Sequence, residues 1–371
     1  MKLLIISHTE HFYGEDGRIY GLGPTVNEIN HLSNLFDQVT HVGVMYKNQK
    51  PDAGYRRYNP SKIHFVPIPP YGGKGIRVKM RIFWLAPRII RITLRELSRA
   101  DIFHFRAPTS IGIYLIPLLT LITQKKGWYK YAGNWLQECP PFSYAVQRWW
   151  LRHLQGRKVT INGSGNSLPA HCMAFENPCL EDDDIEKGNQ TRMNKTYQMP
   201  LTMCFAGRVE KAKGIHKLME ALIRHPHPEY FNTLHIIGEG PEKKQLEHLA
   251  CKIPLKVVFH GSLSRNQVFQ IYLESHLIIL PSESEGFPKV LAEAANFGCI
   301  PVATNLPGIR HHISEKAGYL WNRDQESFFQ FFSHLDLSKN TLNQKAEYIG
   351  AIARSFTYSR YMKRIEREIL W

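Results

Sequence analysis

The stretch LIILPSESEGFPKVLAEAANFGCIPVAT, residues 277–304, decides the fold class of this 371-residue chain. It opens with the apolar run Leu277–Leu280, which predicts a buried strand. Pro288 suits the first turn of a helix, and Gly298 suits the position just past its end. A second apolar run, Ile300–Ala303, predicts another strand. A strand, a helix and a strand in this order form the repeating unit of a parallel α/β sheet.

Two carboxylates in this stretch indicate a ligand site. Glu285 falls in the loop after the first strand, and Glu293 comes eight residues later on the helix. Amides at the start of that helix can bind an anion, and the two carboxylates can accept hydrogen bonds from hydroxyl groups. The alternative is a loop cap at Glu285 and a surface residue at Glu293, but the helix neighbours of Glu293 are apolar: Val290, Leu291, Ala294 and Ala295.

Two further strand ends in the second half carry residues suited to a phosphate. In FAGRVEKAKG, Arg208 can bind a phosphate through two parallel N–H groups, and Lys213 adds a point charge just before a helix. In IIGEGPEKKQLE, Gly238 and Gly240 allow the backbone to approach a ligand closely. Taken singly, the first motif is equally well a solvated basic loop, and the second an ordinary strand–turn–helix.

The same alternation of strands and helices runs along the whole chain. Helices are expected near Pro24, over Gly214–Arg224 and after the capping-box sequence at Ser264. The expected strands are Leu3–Ser7, Val39–Tyr46, Ile63–Ile68, Ile102–Arg106, Trp128–Ala132, Val159–Asn162, Leu201–Ala206, Leu234–Ile237, Val257–His260, Leu277–Leu280 and Ile300–Ala303.

The chain is long enough for two domains. The polar stretch 177–199 has no apolar periodicity and predicts a linker. We therefore expect a first domain over residues 1–176 and a second domain over residues 200–354. A final helix, at about 355–371, is expected to pack back on the first domain.

These motifs together resemble the group 1, family 4 retaining glycosyltransferases of the GT-B fold. The resemblance rests on the spacing of three elements: Gly207-Arg208-x4-Lys213-Gly214, Gly238-Glu239-Gly240-Pro241 and Glu285-Gly-Phe-Pro-x4-Glu293. It is close over residues 201–312 and holds only in outline for the first half. It implies an α/β protein of GT-B architecture, in which two Rossmann-like parallel-sheet domains face a cleft.

The resemblance implies roles for individual residues in the second half. Arg208 and Lys213 would hold the diphosphate of a nucleotide-sugar donor and neutralise charge on the departing nucleotide. Glu285 would contact hydroxyls of the transferred sugar, and Glu293 those of the ribose. The remaining substrate-binding residues implied there are Gly238, Gly240, Gly286, Phe287, Pro288 and Lys289. No metal or cofactor is expected, because basic side chains and helix N-termini would take the place of a divalent cation.

In the first half the resemblance is looser. His104 matches the first histidine of a strand that ends at the family's cleft, which makes it a candidate catalytic residue, although a lone histidine on a strand is also typical of a packed core. Arg106 stands where the family frequently has a second histidine. Gly23 matches a pair of adjacent glycines loosely, and Asn134 is expected to face the cleft, so both are candidate substrate-binding residues.

The implied activity is transfer of a hexosyl unit, with retention, from a nucleotide diphosphate sugar to a glycan or lipid-linked acceptor in cell-surface polysaccharide synthesis. The acceptor hydroxyl would attack on the side from which the nucleotide leaves, and the leaving phosphate would take its proton. Two alternatives remain: a nucleotide-sugar epimerase on the same fold, and a non-catalytic module that binds a nucleotide sugar or a lipid.

The net charge of +15 lies almost entirely in the first half, where residues 1–160 carry 23 Lys and Arg against 9 Asp and Glu. Within residues 74–99, arginines recur at helical spacing beside apolar residues: Arg88, Arg91, Arg95 and Arg99 beside Phe83, Trp84, Ile89, Ile90 and Ile92. This pattern favours an anionic membrane surface, and the alternative is a solvated face with a buried reverse side. Nucleic acid is disfavoured, because no nucleic-acid-binding motif occurs.

The remaining features concern the cellular compartment. The six cysteines have no regular spacing, which disfavours a disulfide framework or a zinc site and favours a reducing cytoplasm. The N-terminus MKLLIISHTE resembles a strand rather than a signal peptide. The longest apolar run, Ile111–Ile122, is too short to span a bilayer. We therefore expect a cytoplasmic protein that is peripheral at the inner face of the membrane.

Overall fold

The computed structural model describes residues 1–46, 54–59, 61–71, 76–137, 139–163 and 168–371, with the side chains of residues 76–80 left out. The chain forms two compact units. The first consists of Met1–Glu176 together with Tyr361–Trp371, and the second consists of Asn177–Arg360.

The first unit is an α/β unit built on a mostly parallel sheet. Its strands are β1 (Lys2–Tyr13), β2 (Ile19–Leu22), β3 (Gln38–Tyr46), β4 (Tyr55–Arg57), β5 (Ile63–Ile68), β6 (Ile102–Ala107), β7 (Lys126–Tyr131), β8 (Val159–Ile161) and β9 (Cys172–Ala174). Its helices are α1 (Gly23–Leu32), α2 (Ile76–Arg99), α3 (Gly112–Ile122) and α4 (Phe142–His153). The parallel order is β5-β3-β1-β6-β7-β8-β9.

The strand β1 is longer than expected and carries an antiparallel addition. It continues past Ser7 to Tyr13. The C-terminal part of β1 pairs antiparallel with β2, and β2 pairs antiparallel with β4. The buried positions of this extension are Thr9, His11 and Phe12. Because the first two are polar, the apolar pattern that marks a buried strand stops at Ser7, and the extension was not predicted.

The second unit is also α/β. Its strands are β10 (Leu201–Ala206), β11 (Phe231–Ile237), β12 (Lys256–Gly261), β13 (Leu277–Leu280), β14 (Ile300–Thr304) and β15 (Tyr319–Trp321). They form a parallel sheet in the order β12-β11-β10-β13-β14-β15. The helices are α5 (Asp182–Asn194), α6 (Ile215–Ile223), α7 (Lys243–Ala250), α8 (Arg265–Glu274), α9 (Lys289–Asn296), α10 (Pro307–Arg310), α11 (Phe328–Ser333) and α12 (Lys339–Arg354), and α13 (Tyr358–Ile365) begins in this unit and ends in the first. The predicted α/β class with two parallel sheets is confirmed.

The stretch 177–199, expected to be a linker, instead belongs largely to helix α5 of the second unit. The helix begins with a capping box formed by Glu181 and Asp184. Its buried positions are Asp184 and Gly188, and the side-chain amide of Asn296 donates to the carbonyl of Asp184 at 2.7 Å. The helix therefore packs through polar and small residues, which is why no apolar period marks it in the sequence.

The last residues of the chain complete the core of the first unit. Tyr361 and Ile365 pack with apolar residues of β1, α1 and β3, and both are buried. No described helix is both long and apolar enough to cross a membrane.

Candidate functional site

The ends of β10 and β13 bring two predicted site residues together. These strands are hydrogen-bonded neighbours, so the loops that follow them lie at the same edge of the sheet. Lys213 follows β10 and Glu285 follows β13, and the Lys213 Nζ lies 2.5 Å from the Glu285 Oε1. The Lys213 side chain is 25% exposed and that of Glu285 is 11% exposed. A cation and a carboxylate that are 72 residues apart therefore form one partly buried pair.

A glycine fixes this approach. Gly214 has φ +73°, and a Cβ built there would lie 2.0 Å from the carbonyl oxygen of Pro281, in the loop after β13. The amide of Glu283 in that loop donates to the carbonyl of Ala212 at 2.9 Å. Only glycine therefore permits the β10 loop to lie against the β13 loop and place Lys213 beside Glu285.

Gly238 and Gly240 are likewise required because another loop lies too close for a side chain. A Cβ at Gly238 would lie 1.9 Å from the carbonyl oxygen of Gly207, and one at Gly240 would lie 2.1 Å from that of Val209. The Val209 amide donates to the Glu239 carbonyl at 3.0 Å, which joins the loops after β10 and β11. These glycines are required by contact between two loops, and their close approach to a ligand stays a prediction.

Arg208 is not part of the Lys213–Glu285 pair. Its side chain is 72% exposed, and its Nε lies 3.3 Å from a carboxylate oxygen of Glu210. Within the part of the chain that the structure describes, no ion pair or hydrogen bond joins it to Lys213 or Glu285. Arg208 is thus an exposed side chain paired with Glu210, and its contact with a diphosphate stays a prediction.

Glu293 lies on α9 and is half-buried. No hydrogen bond from the described residues reaches its carboxylate. Burial raises the pKa of Glu293, while the charges of Arg265 and Lys289 oppose that rise and Asp184 adds to it. Arg265 is itself paired with Asp184 at 2.6 Å. An unpaired carboxylate with a raised pKa is typical of a ligand-binding position.

The residues at the start of α9 have different surroundings. Phe287 is buried and stacks on Phe356 at 4.4 Å between ring centres. Pro288 is the N-cap of α9 rather than its first helical residue, and the Lys289 Nζ donates to the carbonyl of Pro178 at 2.7 Å. A Cβ at Gly308 would lie 1.7 Å from the carbonyl of Gly286. This loop is therefore held by packing, and its predicted contacts with a sugar stay predictions.

In the first unit, the predicted catalytic residue His104 has the surroundings of a core side chain. The side chain is on β6, is fully buried and stacks on Trp128 at 4.3 Å between ring centres. Burial, and next the charge of Arg106, hold its pKa well below the ordinary value. Its ring nitrogens have no hydrogen-bond partner among the described residues. His104 is therefore enclosed by its neighbours in this structure, and its predicted catalytic role stays a prediction.

A cavity of about 360 Å³ lies beside the middle of β1 and the carboxyl ends of β6 and β7. Arg106 lines it while the same guanidinium donates to Glu28 at 2.6 Å. The other lining residues are Ser7, His8, Thr9, Glu10, Leu22, Thr25, Ala107, Pro108, Ala132 and Gly133. Sequence reasoning missed the tripeptide Ser7-His8-Thr9, although it begins at the last residue of the first predicted strand, and strand ends identified the site in the second half.

The two other predicted residues of this unit lie beside that cavity without lining it. The amide of Gly23 donates to the carbonyl of Gly54 at 2.9 Å, and a Cβ at Gly23 would lie 2.6 Å from the same oxygen. The Oδ1 of Asn134 accepts from the amide of Leu136 at 3.0 Å. Both residues thus have local structural contacts, and their contact with a substrate stays a prediction.

The basic stripe, Arg88, Arg91, Arg95 and Arg99, is exposed along α2. The apolar residues beside it differ in position: Trp84 is 84% exposed and Phe83 55% exposed, whereas Ile89 lies in the core. Arg95 and Arg99 pair with Glu96 at 2.7 and 3.7 Å. Lys74, at the start of the predicted basic segment, lies outside the described residues.

Comparison with known proteins gives a match in the second half. Residues 186–329 match the family model for glycosyl transferases group 1. A sulfoquinovosyl transferase of Arabidopsis thaliana is 32% identical over 133 residues, which are 35% of this chain and 25% of that protein. In sequence, the chain therefore matches only about a quarter of that relative's length.

Solved structures resemble the chain over nearly its whole length. HepE of Anabaena, solved in complex with UDP, has a TM-score of 0.67 at 16% identity over 99% of this chain and 98% of its own. Sucrose-phosphate synthase of Thermosynechococcus elongatus has a TM-score of 0.72 at 14% identity, again over 99% and 98%. At these identities the likeness establishes the fold, which is the expected GT-B fold.

Proposed function

We propose that the chain, whose residues 186–329 match the family model for glycosyl transferases group 1, transfers a hexosyl unit from a nucleotide diphosphate sugar to a glycan or lipid-linked acceptor. The observation that carries the proposal is the Lys213–Glu285 pair at the edge of the second sheet, with the unpaired carboxylate of Glu293 on the following helix. These groups offer a cation for a phosphate and carboxylates for hydroxyl groups, which are the two chemical parts of such a donor.

The charge change during the reaction explains why a lysine is useful at this position. As the bond from the sugar C1 to the phosphate oxygen breaks, the sugar becomes oxocarbenium-like and a negative charge collects on the departing diphosphate. The Lys213 ammonium stabilises that charge, and Arg208 is exposed and able to add a second cation. We propose that this basic pair makes a divalent metal unnecessary.

We propose that transfer proceeds with retention. The acceptor oxygen bonds to C1 on the face that the diphosphate leaves, and the acceptor proton passes to the departing phosphate oxygen. Neither half of the reaction requires a separate general base, which agrees with the burial of His104.

We propose that the acceptor is presented at an anionic membrane surface. The support is the exposed stripe on α2, in which Arg88 and Arg91 have no acidic partner among the described residues, and the exposed aromatic rings of Phe83 and Trp84. Arginines attract anionic head groups, and tryptophan suits the interface. Such a location would bring the protein to a lipid-linked acceptor in polysaccharide synthesis.

The proposal is tested by incubating the full chain with UDP-glucose, UDP-galactose or UDP-N-acetylglucosamine and following the products by mass spectrometry. We expect release of UDP together with transferred or free sugar, in the presence of EDTA. Lys213→Ala is expected to lower turnover by about a hundredfold or more, whereas Lys244→Ala, at an exposed lysine of α7, is not. An isomerised donor would indicate an epimerase, and binding of all three donors without turnover would indicate a binding module; either result would refute the proposal.

A further inference from the structure

Four side chains form a hydrogen-bonded chain in the interior of the first unit. The Ser7 Oγ lies 2.8 Å from the His41 Nε2, and the His41 Nδ1 lies 2.6 Å from the Tyr58 hydroxyl. That hydroxyl lies 2.7 Å from the His11 Nε2. All four residues are at most 8% exposed, and both histidines are fully buried. These hydrogen bonds therefore connect the core to the cavity that Ser7 lines.

The last contact of this chain fixes the direction of every hydrogen bond in it. The His11 Nδ1 lies 3.1 Å from the carbonyl oxygen of Val44, which can only accept. In a neutral imidazole His11 therefore carries its proton on Nδ1, and its Nε2 must accept from the Tyr58 hydroxyl. The Tyr58 oxygen then accepts from the Nδ1–H of His41.

The same reasoning passes through His41 to Ser7. With its proton on Nδ1, His41 has an accepting Nε2, so the Ser7 hydroxyl must donate to it. The Thr9 amide donates to the Ser7 Oγ at 3.1 Å. The hydroxyl proton of Ser7 is thus committed, and the remaining hydrogen-bonding capacity of its oxygen is one lone pair.

Burial keeps both imidazoles neutral, as this reasoning requires. It lowers the pKa of His11 to about 4, against the effect of the Val44 carbonyl. It also holds the pKa of His41 well below the ordinary value, with His11 and Arg106 as further causes. Because the two imidazoles resist a second proton, the hydrogen-bonded chain does not act as a base. Its effect is to orient the hydroxyl group of Ser7.

We propose that His11, Tyr58 and His41 are positioning residues that make Ser7 an acceptor-only contact in the cavity, which therefore binds a sugar through one of its hydroxyl groups. The inference rests on the proposed function, because it assigns a sugar to this cavity. The other walls fit such a ligand. Thr9 and Thr25 line the cavity and carry hydroxyl groups, and Arg106 contributes N–H donors. A sugar hydroxyl both donates and accepts, so it can satisfy Ser7 and a neighbouring donor together.

The first test needs no ligand. Nitrogen-15 NMR of the full chain labelled at histidine distinguishes the two neutral tautomers of each ring. We expect His11 and His41 to carry the proton on Nδ1, although free neutral imidazole side chains favour Nε2. In Tyr58→Phe, His41 is expected to lose that preference, and Tyr20→Phe, which removes an exposed hydroxyl bound to Asp16, is expected to leave it unchanged. A proton on Nε2 of His41 in the unaltered protein would overturn the proposal.

The second test measures binding of methyl β-D-glucopyranoside and of its tetra-O-methyl derivative, which has no hydroxyl donor, through the amide signal of Thr9. We expect only the first compound to shift that signal, and we expect Ser7→Ala and Tyr58→Phe each to weaken its binding by about fivefold to tenfold. Because Tyr58 acts through Ser7, the double variant should bind no more weakly than Ser7→Ala alone. Equal binding of the two compounds, or additive losses, would refute the positioning role.

These measurements separate the inference from the proposed function. If the chain shows no sugar transfer but the tautomers and the selective binding are as expected, the proposed function fails and the assignment of the cavity stands. If transfer occurs while the tautomers differ or the methylated compound binds equally well, the proposed function stands and the assignment of the cavity fails.

Discussion

The carboxylate of Glu28 joins three elements of the first unit. It accepts from Arg106 of β6 at 2.6 Å, from Lys130 of β7 at 2.7 Å and from the hydroxyl of Tyr361 at 3.0 Å, and it is 1% exposed. Two cations share this one buried anion. The geometry therefore predicts a large loss of stability if the negative charge is removed.

For Glu28→Gln we expect the free energy of unfolding to fall by about 3–5 kcal/mol, because two buried cations lose their partner. Urea denaturation followed by tryptophan fluorescence measures this change. Glu239→Gln, which breaks the exposed pair with Lys243, is the control and should cost at most about 1 kcal/mol. Equal effects of the two substitutions would contradict the prediction.

In contrast to Glu28, the ionised carboxylate of Glu293 is expected to lower the free energy of unfolding. A raised pKa means that the folded state holds the proton more tightly than the unfolded state, so ionisation of Glu293 costs stability. The cost is absent below the ordinary pKa of a glutamate and is complete above the raised pKa. Glu293→Gln is therefore expected to raise the urea midpoint at pH 7 but not at pH 4, and to weaken donor binding. A lower midpoint at pH 7 would contradict it.

The sequence predicted the part of the site that follows the ends of apolar strands. Lys213 and Glu285 follow apolar strands, and parallel pairing of β10 with β13 then brings them together. His104 stands inside a strand, where the same residue type is consistent with a ligand contact or a core contact. The structure shows a core contact there, in which His104 stacks on Trp128.

At the level of elements, the loop after β10 depends on one left-handed residue. In Gly214→Ala, the new Cβ would meet the Pro281 carbonyl at 2.0 Å and the backbone would be held at φ +73°. We expect a loss of at least about 1 kcal/mol in stability and a large loss of transfer, because Lys213 would move away from Glu285. Gly156→Ala is the control, since no atom lies within 4 Å of its added Cβ. Unchanged turnover in Gly214→Ala would contradict the prediction.

The stripe on α2 yields a prediction about membranes. Arg88 and Arg91 are exposed without an acidic partner among the described residues, whereas Arg95 and Arg99 are paired with Glu96. We expect Arg88→Glu with Arg91→Glu to reduce co-sedimentation with phosphatidylserine vesicles by about tenfold or more.

Charge reversal in the second unit provides the matched control for this experiment. Lys244 and Lys252 are also exposed, and reversing both makes the same change in net charge. If that variant loses as much vesicle binding as the α2 variant, binding follows from net charge and the stripe has no special role.

Elements built on apolar periods were predictable, and those built on polar contacts were not. Ile63–Ile68, Leu201–Ala206 and Leu277–Leu280 have the expected bounds. Helix α5 was missed because it buries Asp184 and Gly188. The end of β1 was missed because Thr9 and His11 point inward, although this extension carries part of the hydrogen-bonded chain to Ser7.

At the scale of the whole molecule, the chain returns to its first unit at its end. Tyr361 supplies a hydroxyl to Glu28, and Ile365 is fully buried in the same core. Deletion of Tyr361–Trp371 is expected to expose the first unit to limited proteolysis while the second unit, Asn177–Arg360, stays resistant. Loss of resistance in both units, or in neither, would contradict this.

The packing of Tyr361–Trp371 on the first unit also affects how the protein folds during synthesis. On the ribosome, residues 1–176 emerge before residues 177–360, yet the apolar surface that receives Tyr361 and Ile365 stays open until residues 361–371 have followed. The second unit has all of its residues in one segment and is able to fold before then. Of the two units, the one that is begun first is therefore closed second, and a nascent chain must keep its exposed core from aggregating during that interval.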